Sequence, residues 1–142
     1  MPTSTLHLLL ILCGIGHIAL SVASLVVPKA LKWKYHLKTL PVLLQQMFWT
    51  YAGYILVINI SFGVVTLLGA DELVNGSFLA KSITLFIAVY WLARIVIQFT
   101  YFDKTDAPKG GLYTLGETAL VILFATFTIV YTLAFLHNSA WL

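Results

Sequence analysis

Apolar residues fill four stretches of the chain in runs too long for the core of a water-soluble domain, and polar residues interrupt them at helical spacing. The first run covers roughly residues 6–27 and is stopped by Pro28. The second opens shortly after Pro41 and covers about 43–69, the third about 78–102 and the fourth about 112–136. Each holds at least the ~20 residues needed to cross ~30 Å of hydrocarbon at ~1.5 Å per residue. A lipid-exposed strand would leave backbone groups unpaired. A membrane β-barrel would show alternation over ~10-residue segments, which these runs lack. The pattern predicts an all-α integral membrane protein, a compact four-transmembrane-helix bundle with antiparallel neighbours joined by short loops. It forms one membrane domain over residues 1–142, with no internal repeat.

The polar positions say which faces turn inward. In lipid, polar and small residues collect where helices pack together. At ~100° per residue, His7, Gly14, His17, Ser21 and Ser24 share a stripe on the first helix. Gln45, Ala52, Asn59 and Thr66 recur every seventh position on the second, with Gly63 beside them. Tyr90, Arg94, Gln98 and Tyr101 share a face of the third, flanked by Trp91. Tyr113, Glu117, Phe124, Thr128, Tyr131 and Phe135 share one on the fourth. Most of these are ordinary packing residues, and the remaining surface of Leu, Ile, Val and Phe is left for lipid.

Composition sharpens the picture. Only 9% of the residues are charged and 61% are hydrophobic, whereas a soluble domain carries about 25% charged residues to cover its surface. The net charge of +3 is not a nucleic-acid footprint, because the basic residues sit in short membrane-proximal loops. Cys13 is the single cysteine, so no intrachain disulfide or thiolate metal cluster is available. Residues 1–10 contain no Lys or Arg and the apolar run continues to Val27, so the first segment reads as a retained helix rather than a cleaved signal. Lys29, Lys32, Lys34 and Lys38 lie in the loop of residues 28–41, and Lys104 and Lys109 in that of residues 103–111. Lys81 alone lies near the remaining loop, beside Asp71 and Glu72. Basic loops face the cytoplasm, so loops 28–41 and 103–111 are expected there, with both termini on the non-cytoplasmic side.

Arg94 and Glu117 are the ionisable side chains inside the runs that stand out. A charge at the centre of a span costs ~2.5–3.5 kcal/mol or more, so it is rarely left unpaired. Arg94 lies roughly 12 Å and Glu117 roughly 7 Å from the cytoplasmic ends of their helices at ~1.5 Å per residue. Gln98 lies one turn below Arg94, Gln45 and Gln46 open the second helix at a similar level, and Tyr101 and Tyr113 flank it. Two readings compete. One is an ion pair that closes the bundle and fixes helix register. The other is a polar pocket of Arg94, Glu117, Gln98, Gln45, Tyr101 and Tyr113, open to the cytoplasm, in which Arg94 binds an anionic or carbonyl group and Glu117 accepts a proton.

His17 and Asn59 are the polar residues near mid-membrane. Imidazole there can relay protons, bind haem iron, or hydrogen-bond to Asn59 or a serine. Bis-histidine haem needs a second imidazole at similar depth, and His7 and His137 lie near the outer surface while His36 lies in a loop. A hydrogen-bonding histidine is therefore the preferred reading, with no haem, other cofactor or metal expected. In the first loop Leu31, Trp33, Tyr35 and Leu37 alternate with Lys32, Lys34, His36 and Lys38. If extended, the segment has an apolar and a basic side. Trp33 and Tyr35 would then sit at headgroup level, with Lys32, Lys34 and Lys38 on anionic lipid.

Two weaker motifs carry little. Asn75-Gly76-Ser77 fits the N-glycosylation pattern but lies in a short loop close to the membrane. Asp103 and Asp106, followed by Pro108 and Gly110-Gly111, read as a turn rather than a metal site. No nucleotide loop, metal-binding His-Glu motif, or Ser or Cys nucleophile with a base is evident. The sequence thus favours a non-enzymatic accessory or scaffold subunit that binds a membrane protein partner or lipid. The alternative is a small transporter or channel, homo-oligomeric, using the Arg94/Glu117 pocket. A membrane enzyme or redox subunit is the reading it favours least.

Overall fold

A computed structural model describes residues 2–102 and 110–141. The described chain is helical throughout its ordered elements and contains no strand. Helix α1 spans Thr3–Ser24, the short helices α2 and α3 span Val27–Ala30 and Trp33–Leu37, and α4 spans Val42–Leu68. A 3₁₀ turn at Glu72–Val74 leads to α5, Phe78–Thr100, and α6 spans Gly111–Asn138. Four helices are long and apolar enough to cross a membrane, with α2 continuing the first of them. The four expected runs match these spans to within three residues at each end.

Pro28 does not stop the first helix as its position suggested. That helix ends at Ser24, and Pro28 occupies the first turn of α2, where its missing N–H costs nothing. The first loop is not extended either. Lys32, at φ 54°, ψ 50°, turns the chain between α2 and α3. Residues 33–37 are then helical, so alternation cannot sort them into two sides. Leu37 is buried and Trp33 half-buried, while Lys32, Lys34, Tyr35 and Lys38 are exposed. The loop of residues 103–109, with Lys104, Lys109 and the Asp103–Pro108 turn, lies outside the described residues.

Helix α1 packs along both α4 and α6, and α6 also packs along α5. Small residues permit the closest approach. A Cβ at Gly63 would lie 2.8 Å from Ile18 Cδ1 and 3.1 Å from His17 Cβ, and one at Gly14 would lie 2.8 Å from Leu67 Cγ. α1 and α4 therefore meet nearly backbone to backbone. α4 and α5 follow one another in sequence yet meet through side chains, with Phe62 edge-on to Phe86 and Tyr90 at ring-centroid distances of 5.8 and 5.2 Å. Between them runs an apolar groove of about 420 Å³, lined by Ser61, Phe62, Val65, Ser82, Ile83, Phe86 and Ile87.

The connection from α4 to α5 is held against the end of α6. Asn138 donates from Nδ2 to Leu73 O at 2.6 Å and accepts from Gly76 N at 3.0 Å, so one amide satisfies both polarities of the turn. His7 Nε2 meets Asp71 Oδ1 at 2.9 Å on the same connection. Ser77 caps α5 by accepting from Ala80 N at 3.1 Å. The core lies in this half of the molecule. The first half of α4 is largely uncovered, and the buried residues of that helix, Asn59, Gly63 and Thr66, all lie in its second half.

Candidate functional site

Arg94 and Gln98 are four residues apart on α5 and so project from one face, toward the start of α6 that carries Glu117. The structure joins the three in one chain of hydrogen bonds. Arg94 Nη1 donates to Gln98 Oε1 at 2.9 Å, and Gln98 Nε2 donates to Glu117 Oε2 at 2.8 Å. The two charges therefore meet through an amide and not in a direct ion pair. Among the described residues His7 and Asp71 make a close imidazole–carboxylate contact at 2.9 Å. The orientation of Gln98 follows from chemistry, because guanidinium only donates and ionised carboxylate only accepts. Its dipole points oxygen to cation and N–H to anion, which favours both ends.

Two rings pack against Arg94. The guanidinium carbon lies 5.0 Å from the centroid of Phe102 and 5.1 Å from that of Phe124. Such contacts contribute ~0.5–1 kcal/mol at exposed sites and more where water is excluded. Phe124 in turn stacks on Trp91, with centroids 4.9 Å apart. Arg94 and Glu117 are half-buried and Gln98 is buried. Glu117 also has a further interaction.

The other residues expected in this pocket make no hydrogen bond to Arg94, Gln98 or Glu117 among the described residues, although Tyr113 stands one turn from Glu117 on α6. Gln45 is half-buried and donates to Leu40 O at 2.8 Å, tying the start of α4 to the preceding loop. Tyr101 is exposed at the end of α5 beside Phe102. Tyr113 is half-buried on α6 and makes no hydrogen bond with the chain among the described residues. The groove between α4 and α5 and a second groove between α1 and α4 (Ile18, Ser21, Val22, Leu25, Leu56, Ile60) both lie away from Arg94 and Glu117.

His17 occupies the centre of the bundle and is fully buried. Its Nδ1 lies 2.8 Å from Cys13 O, and its Nε2 accepts from Trp91 Nε1 at 2.9 Å. A carbonyl oxygen only accepts and an indole N–H only donates, so the ring is the neutral Nδ1–H tautomer. Both ring nitrogens are thus hydrogen-bonded within the bundle. Phe127 stacks on the imidazole at 3.9 Å and 10°, and Phe62 and Tyr131 meet it edge-on. Asn59, considered as a partner for His17, lies 3.4 Å from the Tyr90 hydroxyl instead. A second bond crosses the interior between Thr66 Oγ1 and Tyr131 Oη at 2.6 Å.

At the first loop, Trp33 packs against Phe48 and Trp49 of α4, with centroids 4.8 and 5.6 Å apart. Lys38 Nζ lies 4.7 Å over the Tyr35 ring. Lys32, Lys34 and Lys38 are exposed, so their ammonium groups are open to whatever borders this end.

Sequence reasoning gave no role to Trp91 as the partner of His17, to Phe102 and Phe124 around Arg94, or to Asn138. The signal for Trp91 was present in its place beside the polar face of α5. The other contacts depend on tertiary packing that no local spacing encodes. No family model, curated protein or solved structure matches the chain.

Proposed function

We propose that the chain crosses a bilayer four times with antiparallel neighbouring helices and acts as a non-enzymatic accessory or scaffold subunit for a membrane protein partner. Its lysine-bearing loops at residues 28–41 and 103–111 would face the cytoplasm, and both termini the other side. The exposed Leu, Ile, Val and Phe along the long helices support the membrane setting, since water would penalise that surface at roughly 25 cal/mol per Å².

The observation that carries the partner reading is the outward face of α4. At ~100° per residue Gln46, Thr50, Gly53, Tyr54, Val57 and Ser61 fall within about 100° of one another, on the side away from Asn59 and Thr66. All six are exposed. A Cβ at Gly53 would meet nothing within 4 Å. Thr50 and Ser61 bond back to Gln46 O and Val57 O at 2.8 and 2.7 Å, but the Tyr54 hydroxyl has no partner among the described residues. Tyr54 stands about 18 Å along α4 from Val42 at ~1.5 Å per residue, near the middle of ~30 Å of hydrocarbon. An unmet hydroxyl in an apolar medium costs about 1–3 kcal/mol, which a neighbouring helix carrying an acceptor would recover.

A photo-crosslinking residue placed at position 57 tests this in the native membrane. A discrete adduct with one protein, absent from a probe at position 22 and lost with Gly53→Leu, is the expected result. Adducts with lipid alone would overturn it, and an adduct with a second copy would make the assembly a homo-oligomer. The transporter reading has one observation in its favour, the charged Arg94–Gln98–Glu117 chain. Flux through proteoliposomes holding the purified protein would separate it from the scaffold reading.

A further inference from the structure

We propose that Arg94 binds a phosphate group at the membrane boundary. The inference rests on the reading that the four helices cross a bilayer, and it does not depend on which way round they cross.

A guanidinium carries five N–H donors in a rigid fork. Arg94 gives one to Gln98 Oε1 at 2.9 Å, and no other protein acceptor receives from it among the described residues. The unspent donors are not sealed inside the protein: Arg94 is half-buried, and no buried side-chain donor among the described residues lacks a partner. They therefore open onto the surroundings of the bundle.

Three features suit these donors to an anion. Phe102 and Phe124 hold the group from two sides, at 5.0 and 5.1 Å, so little side-chain freedom remains to be lost on binding. Gln98 stands between Arg94 and Glu117, so among the described residues no carboxylate is in contact with the cation. The depth is also right. The Arg94 Cα lies about 9 Å from Thr100 at ~1.5 Å per residue, and the side chain reaches a turn closer to that end to meet Gln98. The guanidinium thus approaches the level where hydrocarbon gives way to headgroups. Phosphate oxygens match the fork through two parallel charge-assisted hydrogen bonds, a geometry that lysine cannot reproduce. A phospholipid headgroup and free inorganic phosphate both present this chemistry.

The test uses the full chain, purified in a phosphate-free detergent and stripped of lipid, with thermal unfolding as the readout. Phosphatidic acid, diacylglycerol and inorganic phosphate are added separately. The expected result is that phosphatidic acid raises the melting temperature and diacylglycerol does not. Arg94→Gln, whose amide keeps at most one of the two donors and no charge, should weaken the phosphatidic acid response at least about tenfold in concentration, the effect of losing one charge-assisted hydrogen bond. Arg94→Lys should weaken it less. A variant with Lys32, Lys34 and Lys38 all changed to Gln should keep it, which separates this site from the first loop. Stabilisation by inorganic phosphate alone would assign a free anion in place of a lipid. Equal responses to phosphatidic acid and diacylglycerol would overturn the proposal, as would an undiminished response in folded Arg94→Gln. If Arg94→Gln does not fold, the wild-type comparison of the three additives and the Arg94→Lys response decide the matter. Failure of the membrane reading would show separately, as release of the unmutated protein from membranes by alkaline carbonate.

Discussion

The indole N–H of Trp91 on α5 donates to Nε2 of His17 on α1 at 2.9 Å, and this bond fixes the tautomer of a histidine with no exposed surface. Trp91→Phe keeps a ring against Phe124 but removes the donor, leaving a buried acceptor unmet. The expected loss is about 1–3 kcal/mol, read as a lower melting temperature in detergent. His17→Leu in the same background should recover part of that loss, since removing both partners abolishes the unmet group. Nitrogen-15 spectra of the wild type should show a protonated Nδ1 and an unprotonated Nε2. The opposite assignment would break both bonds, because the Cys13 carbonyl cannot donate and the Trp91 indole N–H cannot accept.

Gln98 offers a second test, because it carries the coupling between Arg94 and Glu117. Arg94→Met and Glu117→Gln should each destabilise, and the double variant should lose less than their sum. In a Gln98→Leu background that coupling should vanish, because no direct pair remains to be broken. Gln98→Leu itself should cost about 1–3 kcal/mol, at the lower end because both charges are half-exposed and screened. Coupling that survives Gln98→Leu would mean the two charges communicate by another route.

The four long helices were legible in the sequence because the requirement is simple: an apolar run of sufficient length, read one residue at a time. The inward faces were nearly as legible, since Gly14, His17, Asn59, Gly63 and Thr66 are all buried where small and polar residues were expected to gather. Legibility ended where geometry depends on several helices at once. Gln98 was placed near the depth of Glu117 with Arg94 one turn deeper, but that Gln98 bridges the two follows from the reach of its side chain. Tyr101 shares a helical face with Arg94 yet is exposed at the end of α5. In the first loop the alternation of residues 31–38 invited an extended reading. The left-handed turn at Lys32 and the docking of Trp33 on Phe48 and Trp49 favour a helix instead.

Two glycines of α4 should respond oppositely to substitution. Gly63 faces α1, where a Cβ would come within 2.8 Å of Ile18 Cδ1. Gly63→Leu should push α1 and α4 apart at a cost of about 1–3 kcal/mol, the usual penalty for overpacking. Gly53 has open space around it, so Gly53→Leu should leave the melting temperature of the isolated protein unchanged or slightly raised, glycine being a poor helix former. Equal losses in the two variants would mean that the side of α4 carrying Gly53 is also packed against the chain.

The side on which each loop lies decides how all of this meets the cell. Lysines in the first and third loops predict that both face the cytoplasm. Single cysteines at Lys34 and Glu72, each in a Cys13→Ala background, would report it. Both positions are exposed, so a membrane-impermeant thiol reagent should reach whichever lies outside. Added to intact cells, it should label Glu72→Cys and spare Lys34→Cys, and permeabilised cells should label both. Labelling of Lys34→Cys alone in intact cells would invert the protein while preserving its four spans. Labelling of both would place the two ends of α4 on the same side, and α4 could then not cross the membrane at all. The second outcome would also remove the argument from Tyr54, because a hydroxyl that never enters hydrocarbon has water as its partner.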